Sequence, residues 1–351
     1  MQMDLNLPQT FVPGFHDKNV VKNMSYNILG CTGLKVSKLS LGTGGFSYFY
    51  GDYSVDQCKQ TIYEAIKSGI NLIDTAPWYG HGESEKILGL CLEGIPREAY
   101  YLATKVCRYE KDPTLMFDFS AERTRKSIDE SLQRLRLNYV DILQIHDLEF
   151  APNLDVVLNE TLPTVQEIIG SGKARHLGIT GYPLGTIKSC IERSKVRIET
   201  VLSYCRGTMI DNTLDDFVPF FKSKEIGLIN AAVNGMGLLT NSGPQNWHPA
   251  SENIKRLCAK AGEYCKSRNV ELGKLAVYDS LKKKGPDTIL VGMNTPQLLN
   301  WNLNVLQNGI TDHEEDVYKE VKLIMKELPL QSHWENVELE KFRNNAGLSY
   351  K

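Results

Sequence analysis

Several patterns that would place the chain in a familiar class are missing. Its eight cysteines (31, 58, 91, 107, 190, 205, 258 and 265) form no C-x-x-C pair. Their scatter argues for reduced thiols rather than a disulfide framework, and a chain of 351 residues has core enough without one. No window approaches the ~18 consecutive apolar residues of a membrane span. The first two dozen residues carry Asp4, Pro8, Pro13 and Asp17. They lack the apolar run of a signal peptide and the Arg-rich, acid-poor character of a transit peptide. They read as a loose extension, and a cytoplasmic location away from any membrane is expected. A formal net charge of −2 gives no broad attraction for nucleic acid. No G-x-G-x-x-G opens the first helix, which weighs against a doubly wound dinucleotide fold. No His-x-His closes the first strand, which weighs against a metal-dependent barrel hydrolase, and no metal is expected.

What is present is a steady alternation. Tyr26-Asn27-Ile28-Leu29 and Leu34-Lys35-Val36-Ser37 flank a glycine-bounded turn and read as a β-hairpin. Apolar strand-like runs then begin near residues 39, 70, 100, 140, 173, 199, 227 and 288, each followed by helical periodicity. Ser54 with Gln57, and Ser120, mark helix starts. Eight such units predict an α/β fold, a (β/α)8 TIM barrel with an N-terminal β-hairpin and a C-terminal helical cap. The expected partition is an extension over 1–24, a single barrel domain over 25–330 and a polar tail over 331–351.

Three successive runs end in ionisable residues. The run at 70–73 ends in Asp74, with Tyr79 five positions on; that at 101–104 ends in Lys105; that at 140–145 ends in His146. Strand carboxyl ends are where a parallel barrel gathers its chemistry. A free phenol has a pKa near ~10, and a close lysine cation is expected to bring Tyr79 down by about two units, or ~2.7 kcal/mol. Asp74 would hold Lys105 charged, and a neutral His146 would orient a substrate oxygen. Taken singly these are a strand-end cap, a turn aromatic, a solvated lysine and a core histidine. Taken together, at successive strand ends, they point to proton transfer.

The stretches Asp-Thr-Ala-Pro-Trp-Tyr-Gly (74–80), Ala-Thr-Lys (103–105) and Gln-Ile-His-Asp (144–147) resemble the aldo-keto reductases. So do Leu-Gly-Thr-Gly-Gly (41–45), Gly-Ile-Thr-Gly (178–181) and Gly-Leu-Leu-Thr (237–240), and the likeness runs over about 26–324. It implies an NAD(P)-dependent oxidoreductase with Asp74, Tyr79, Lys105 and His146 at the catalytic positions. It places the dinucleotide against Gly42, Thr43, Gly44, Asp74, Thr180, Gly181 and Ser203. Further contacts would come from Ala232, Val233, Asn234, Gly235 and Met236, and from Gly292, Met293, Asn294 and Asn302. Longer matches at 117–123, 126–132, 146–150, 202–205 and 247–251 point to the sugar-oxidising branch, which implies oxidation of an aldose at C1 to a lactone.

Two departures bear on the cofactor. Ala231 stands where many members place a tyrosine to stack on the nicotinamide. Met293 and Leu298 stand where NADPH-preferring members place basic residues for the 2′-phosphate, so NAD is favoured over NADP, with Lys282, Lys283 and Lys284 as the basic groups able to reverse that. Tyr48, Trp78 and Trp247 are expected to wall the substrate pocket beside Tyr79 and His146, with Phe49, Tyr50, His81 and Tyr109 in the same loops. The partner is then a small carbonyl or sugar, with a monomer as the default state. The rival of the same fold is a nucleotide-sensing regulatory subunit, as potassium-channel β subunits are.

Overall fold

The computed structural model describes residues 7–329 and 332–346. Eight parallel strands close on themselves: β3 (Leu39–Gly42), β4 (Leu72–Asp74), β5 (Tyr101–Val106), β6 (Val140–Ile145), β7 (Ala174–Gly181), β8 (Thr200–Tyr204), β9 (Gly227–Ala231) and β10 (Thr288–Gly292). Sequential strands are neighbours all the way round, and β10 pairs with β3. β4, β5 and β6 are buried at every position, which is why they read as apolar runs rather than as alternating ones.

The hairpin, β1 (Tyr26–Ile28) against β2 (Lys35–Ser37), sits under the barrel. Leu29, Leu34 and Val36 join the inward residues Leu72, Tyr101, Ala103, Ile142, Leu202, Ile229, Ala231 and Leu290 in one apolar cluster. They plug the floor, and each such side chain contributes ~1.5–3 kcal/mol by leaving water. The turn between them requires Gly30. Its φ is +51°, and a Cβ there would lie 2.1 Å from the backbone nitrogen of Gly227.

Residues 1–6 lie outside the described part, but 7–24 are not the loose extension expected. Lys18–Lys22 is a helix, and Thr10 and Val21 are buried. Asn71, just before β4, donates to Thr10 Oγ1 at 2.9 Å and to the Lys35 carbonyl at 2.8 Å, and Tyr101 Oη donates to Gln9 at 3.0 Å. Buried polar groups at the strand N-termini need partners, and the leading segment supplies them.

The end of the chain departs further from expectation. Residues 330, 331 and 347–351 lie outside the described part. Between them, 332–346 hold a buried Trp334 and the helix Val337–Asn345, which returns over the barrel mouth. Among the described residues, no helix is long and apolar enough to cross a membrane.

One buried ion pair ties the mouth to the wall. Glu85, fully buried in the helix Glu83–Cys91, accepts from Arg134 Nε at 2.7 Å and from Thr104 Oγ1 at 2.6 Å. Replacing Arg134 by methionine leaves that carboxylate without its cation and is expected to lower stability by about 3 kcal/mol or more. The exposed pair Arg125–Glu167 is the control, where Arg125→Met should cost less than ~1 kcal/mol. Chemical denaturation measures both, and equal losses would contradict the assignment.

Candidate active site

The barrel register brings the strand-end residues together. Asp74 on β4 is level with Ala103 on β5, and Lys105 is level with Gln144 on β6. Side chains two apart on a strand share a face, so Asp74, Ala103, Lys105 and Gln144 all turn to one side. Lys105 Nζ donates to Asp74 Oδ1 at 2.5 Å, to the Thr75 carbonyl at 2.9 Å and to Tyr79 Oη at 3.3 Å. Gln144 Nε2 donates to the other Asp74 oxygen at 2.8 Å. His146 follows β6, and its ring meets that of Tyr79 edge-on at 6.0 Å.

Burial decides the protonation states. It would drive the Lys105 ammonium neutral, but the Asp74 carboxylate and the Tyr79 phenol more than offset it, and the group stays charged with its pKa above the usual lysine value. For Tyr79 the expected depression is not found. Burial pushes the phenol above its ordinary value, and Asp74 adds to the push. Lys105 opposes them without prevailing, because its charge is already shared with Asp74. His146 is pushed down to about 3, chiefly by burial, with Lys105 and Arg108 adding to the effect and Asp147 opposing it. It is therefore neutral at physiological pH.

A cavity of about 420 Å³ opens at this end of the barrel. Asp74, Trp78, Tyr79, Lys105, His146 and Trp247 line it on one side. Gly42, Gly44, Thr180, Ala232, Val233, Asn234, Met236, Gly292, Met293 and Asn294 line it as well. Five residues expected at the dinucleotide are not among its lining. Thr43, Gly181, Ser203 and Gly235 lie next in sequence to lining residues, while Asn302 is buried on the helix Pro296–Asn308. Thr43 instead donates to the Asp74 carbonyl at 3.1 Å, beneath the site. Tyr48 is also outside, largely exposed and packed on Tyr53 at 5.0 Å.

Other lining residues carried no signal in the sequence. Arg108 pairs with Asp147 at 2.6 Å and lies 4.2 Å over the Trp78 ring. Glu149 is pushed up to about 8 by burial and by the Asp147 charge. Its Oε1 accepts from the Tyr182 backbone at 2.9 Å, and Oε2 has no partner. Glu338, from the returning C-terminal helix, lines the cavity too. Tyr204 is level with Ala231 on the neighbouring strand, so the aromatic surface at this point comes from β8 rather than β9.

The residues on the glycine-rich side suit a dinucleotide. Asn234 Oδ1 is buried on the cavity wall without a partner. Ala232, Gly235, Met236 and Gly237 all have positive φ, in a tight loop whose Gly235 and Gly237 N–H groups close onto the Ala232 and Asn234 carbonyls at 2.8 and 3.2 Å. The helix Pro296–Asn308 begins just past Gly292, Met293 and Asn294, capped by Thr295, and its N-terminus favours negative charge.

Fold and site together define an NAD(P)-dependent oxidoreductase built on a barrel. A model of the Aldo/keto reductase family matches residues 38–322, and the chain belongs to that family. It is 42% identical over 302 residues to L-galactose dehydrogenase of Arabidopsis thaliana, covering 85% of this chain and 93% of that one. It is 29% identical over 280 residues to D-arabinose 1-dehydrogenase of Saccharomyces cerevisiae, covering 75% and 81%. An aldo-keto reductase of Bacillus halodurans solved in its holo form shares the fold with a TM-score of 0.67 at 21% identity, over 90% of this chain and 99% of that one.

The raised pKa of Tyr79 gives a signed expectation. The phenol form is complete below the folded pKa, so proton donation stays constant through neutral pH, whereas proton acceptance climbs with pH toward that value. An ultraviolet titration of the unaltered protein minus Tyr79→Phe should show no phenolate band below pH ~10. A band with a midpoint near ~8 would mean that Lys105 prevails over burial after all.

Proposed function

We propose that the protein oxidises the C1 hydroxyl of a cyclic aldose, of the kind L-galactose represents, to a lactone, with NAD preferred. The observation that carries this reading is the 3.3 Å approach of Lys105 Nζ to Tyr79 Oη on a buried wall that also holds neutral His146. When bound, the nicotinamide accepts the C1 hydride in oxidation and returns it in reduction. The chain's own residues handle the proton. Tyr79 in its phenolate form takes the proton of the C1 hydroxyl, and as a phenol gives one to a carbonyl oxygen in the reverse direction. Lys105, held charged by Asp74, stabilises the phenolate while it lasts. A neutral imidazole at His146 orients the same oxygen without adding charge.

Two further features support the aldose and the coenzyme. Asp147, Glu149 and Glu338 give the cavity several carboxyl acceptors suited to the hydroxyls of a sugar. On the adenosine side, Met293 and Leu298 line the wall where a 2′-phosphate would need cations. Two of the three lysines that could compensate are engaged elsewhere. Lys282 lies over the Tyr278 ring at 4.7 Å, and Lys283 pairs with Asp215 at 3.2 Å.

The test is the Tyr79→Phe variant with NAD and a panel of aldoses. Turnover should fall at least ~10²-fold, the scale of a lost proton-transfer group. NAD affinity should stay within about twofold and exceed that for NADP, as in the unaltered protein. Near-normal turnover in this variant would remove the proposed role of Tyr79.

A further inference from the structure

The stretch 332–346 crosses the mouth of the barrel and is fastened at both ends. On one side the Trp334 ring is buried, stacked on Tyr182 at 5.2 Å and set edge-on to His248 at 4.9 Å. Its backbone N–H donates to Tyr182 Oη at 3.0 Å. Next to it, Glu335 pairs at 2.7 Å with Arg206, a buried guanidinium that also pairs with Asp211 at 3.0 Å. On the other side Phe342 meets Phe117 and Phe150 edge-on at 5.0 and 5.4 Å. Tyr182 and Arg206 follow β7 and β8, whereas Phe117 and Phe150 lie beyond β5 and β6. The strap therefore spans the opening rather than lying along one edge.

Glu338 falls between the anchors. In the helix Val337–Asn345 it stands four positions before Phe342, so the face that packs the phenylalanine on Phe117 and Phe150 also turns Glu338 inward. It lines the cavity together with Tyr79, His146, Arg108 and Glu149. Burial pushes its carboxyl above the usual value, with Asp147 adding to the shift and Arg108 opposing it. Arg108 is committed to Asp147 at 2.6 Å, and the Trp334 side chain bonds the Glu338 carboxyl, whose two oxygens leave it further acceptor capacity. Glu149 brings a second carboxyl oxygen without a partner, Oε2.

We propose that Glu338 is a substrate-positioning residue, and that the strap delivers it to accept hydrogen bonds from hydroxyls of a neutral polyhydroxylated substrate at the end remote from the reacting carbon. The tetrad handles the reacting oxygen, and the strap reads the rest of the molecule. A substrate without those hydroxyls leaves the Glu338 carboxyl unanswered, so selection for sugars over plain aldehydes follows from an unpaired polar group. This inference rests on the aldose reading given above.

The experiment compares Glu338→Gln with the unaltered protein, using one neutral aldose turned over by the latter and propanal as the hydroxyl-free probe. A thermal melt first confirms that the variant is folded. The ratio of kcat/KM for aldose oxidation to that for propanal reduction should fall about tenfold, carried by KM for the aldose with kcat nearly constant. NAD affinity should not change, because Glu338 is not among the glycine-rich residues. A purely structural role would lower both activities together and leave the ratio intact, which would overturn the proposal. A second variant, Phe342→Ala, loosens the strap without touching the carboxyl and should move the ratio in the same direction. An unchanged ratio in both variants, with aldose turnover retained, sinks the role of the strap alone. If the unaltered protein turns over no aldose, the aldose reading fails and this proposal falls with it.

Discussion

A buried ammonium is the constraint on which this site depends. Lys105 is about 1% exposed, in surroundings that would ordinarily strip its proton. It remains charged because Asp74 accepts from it and is itself held by Gln144. Breaking such a pair from one side strands the other charge and costs ~3–5 kcal/mol, so the strands β4, β5 and β6 are bound to a single register by the chemistry they carry. The same sharing limits what Lys105 does to its neighbour. A cation already neutralised by a carboxylate does not pull a buried phenol below its ordinary pKa, and Tyr79 rests as a proton donor.

That balance gives the two faces of the cavity different jobs. The glycine-rich side, with its left-handed loop at 232–237 and a helix N-terminus, presents backbone donors and suits an anionic dinucleotide. The opposite side presents carboxyls and aromatic rings and suits a neutral, hydroxyl-bearing molecule. Arg108 does not blur the division, since its charge is spent on Asp147. Phe49 packs on Trp247 at 4.7 Å, so loops after β3 and β9 meet near the rim and the strap crosses beside them.

Much of the architecture is legible in the sequence because a parallel barrel makes each strand an apolar run and puts its chemistry at the run's end. Asp74, Lys105 and His146 were found that way, and Tyr79 by its distance from Asp74. The misses have physical reasons. Thr43, Gly181, Ser203 and Gly235 sit beside lining residues such as Gly42, Gly44, Thr180, Asn234 and Met236, and a motif read whole does not say which of its members face the cavity. Tyr48 was placed by its loop, and loop direction is set by packing that no local pattern encodes. The strap reads as a polar tail because its apolar docking residues are just Trp334 and Phe342, eight apart among polar neighbours such as Glu335 and Glu338. The direction of the Tyr79 shift was missed because proximity to Lys105 is visible in a motif, whereas burial is a property of the whole fold.

The most direct measurement of the central claim is single-turnover reaction of Lys105→Met with saturating NAD and an aldose. If the shared ammonium is what makes Tyr79 competent to exchange a proton, the chemical step should slow at least ~10²-fold while NAD binds as before. A rate within about threefold of the unaltered protein would contradict it.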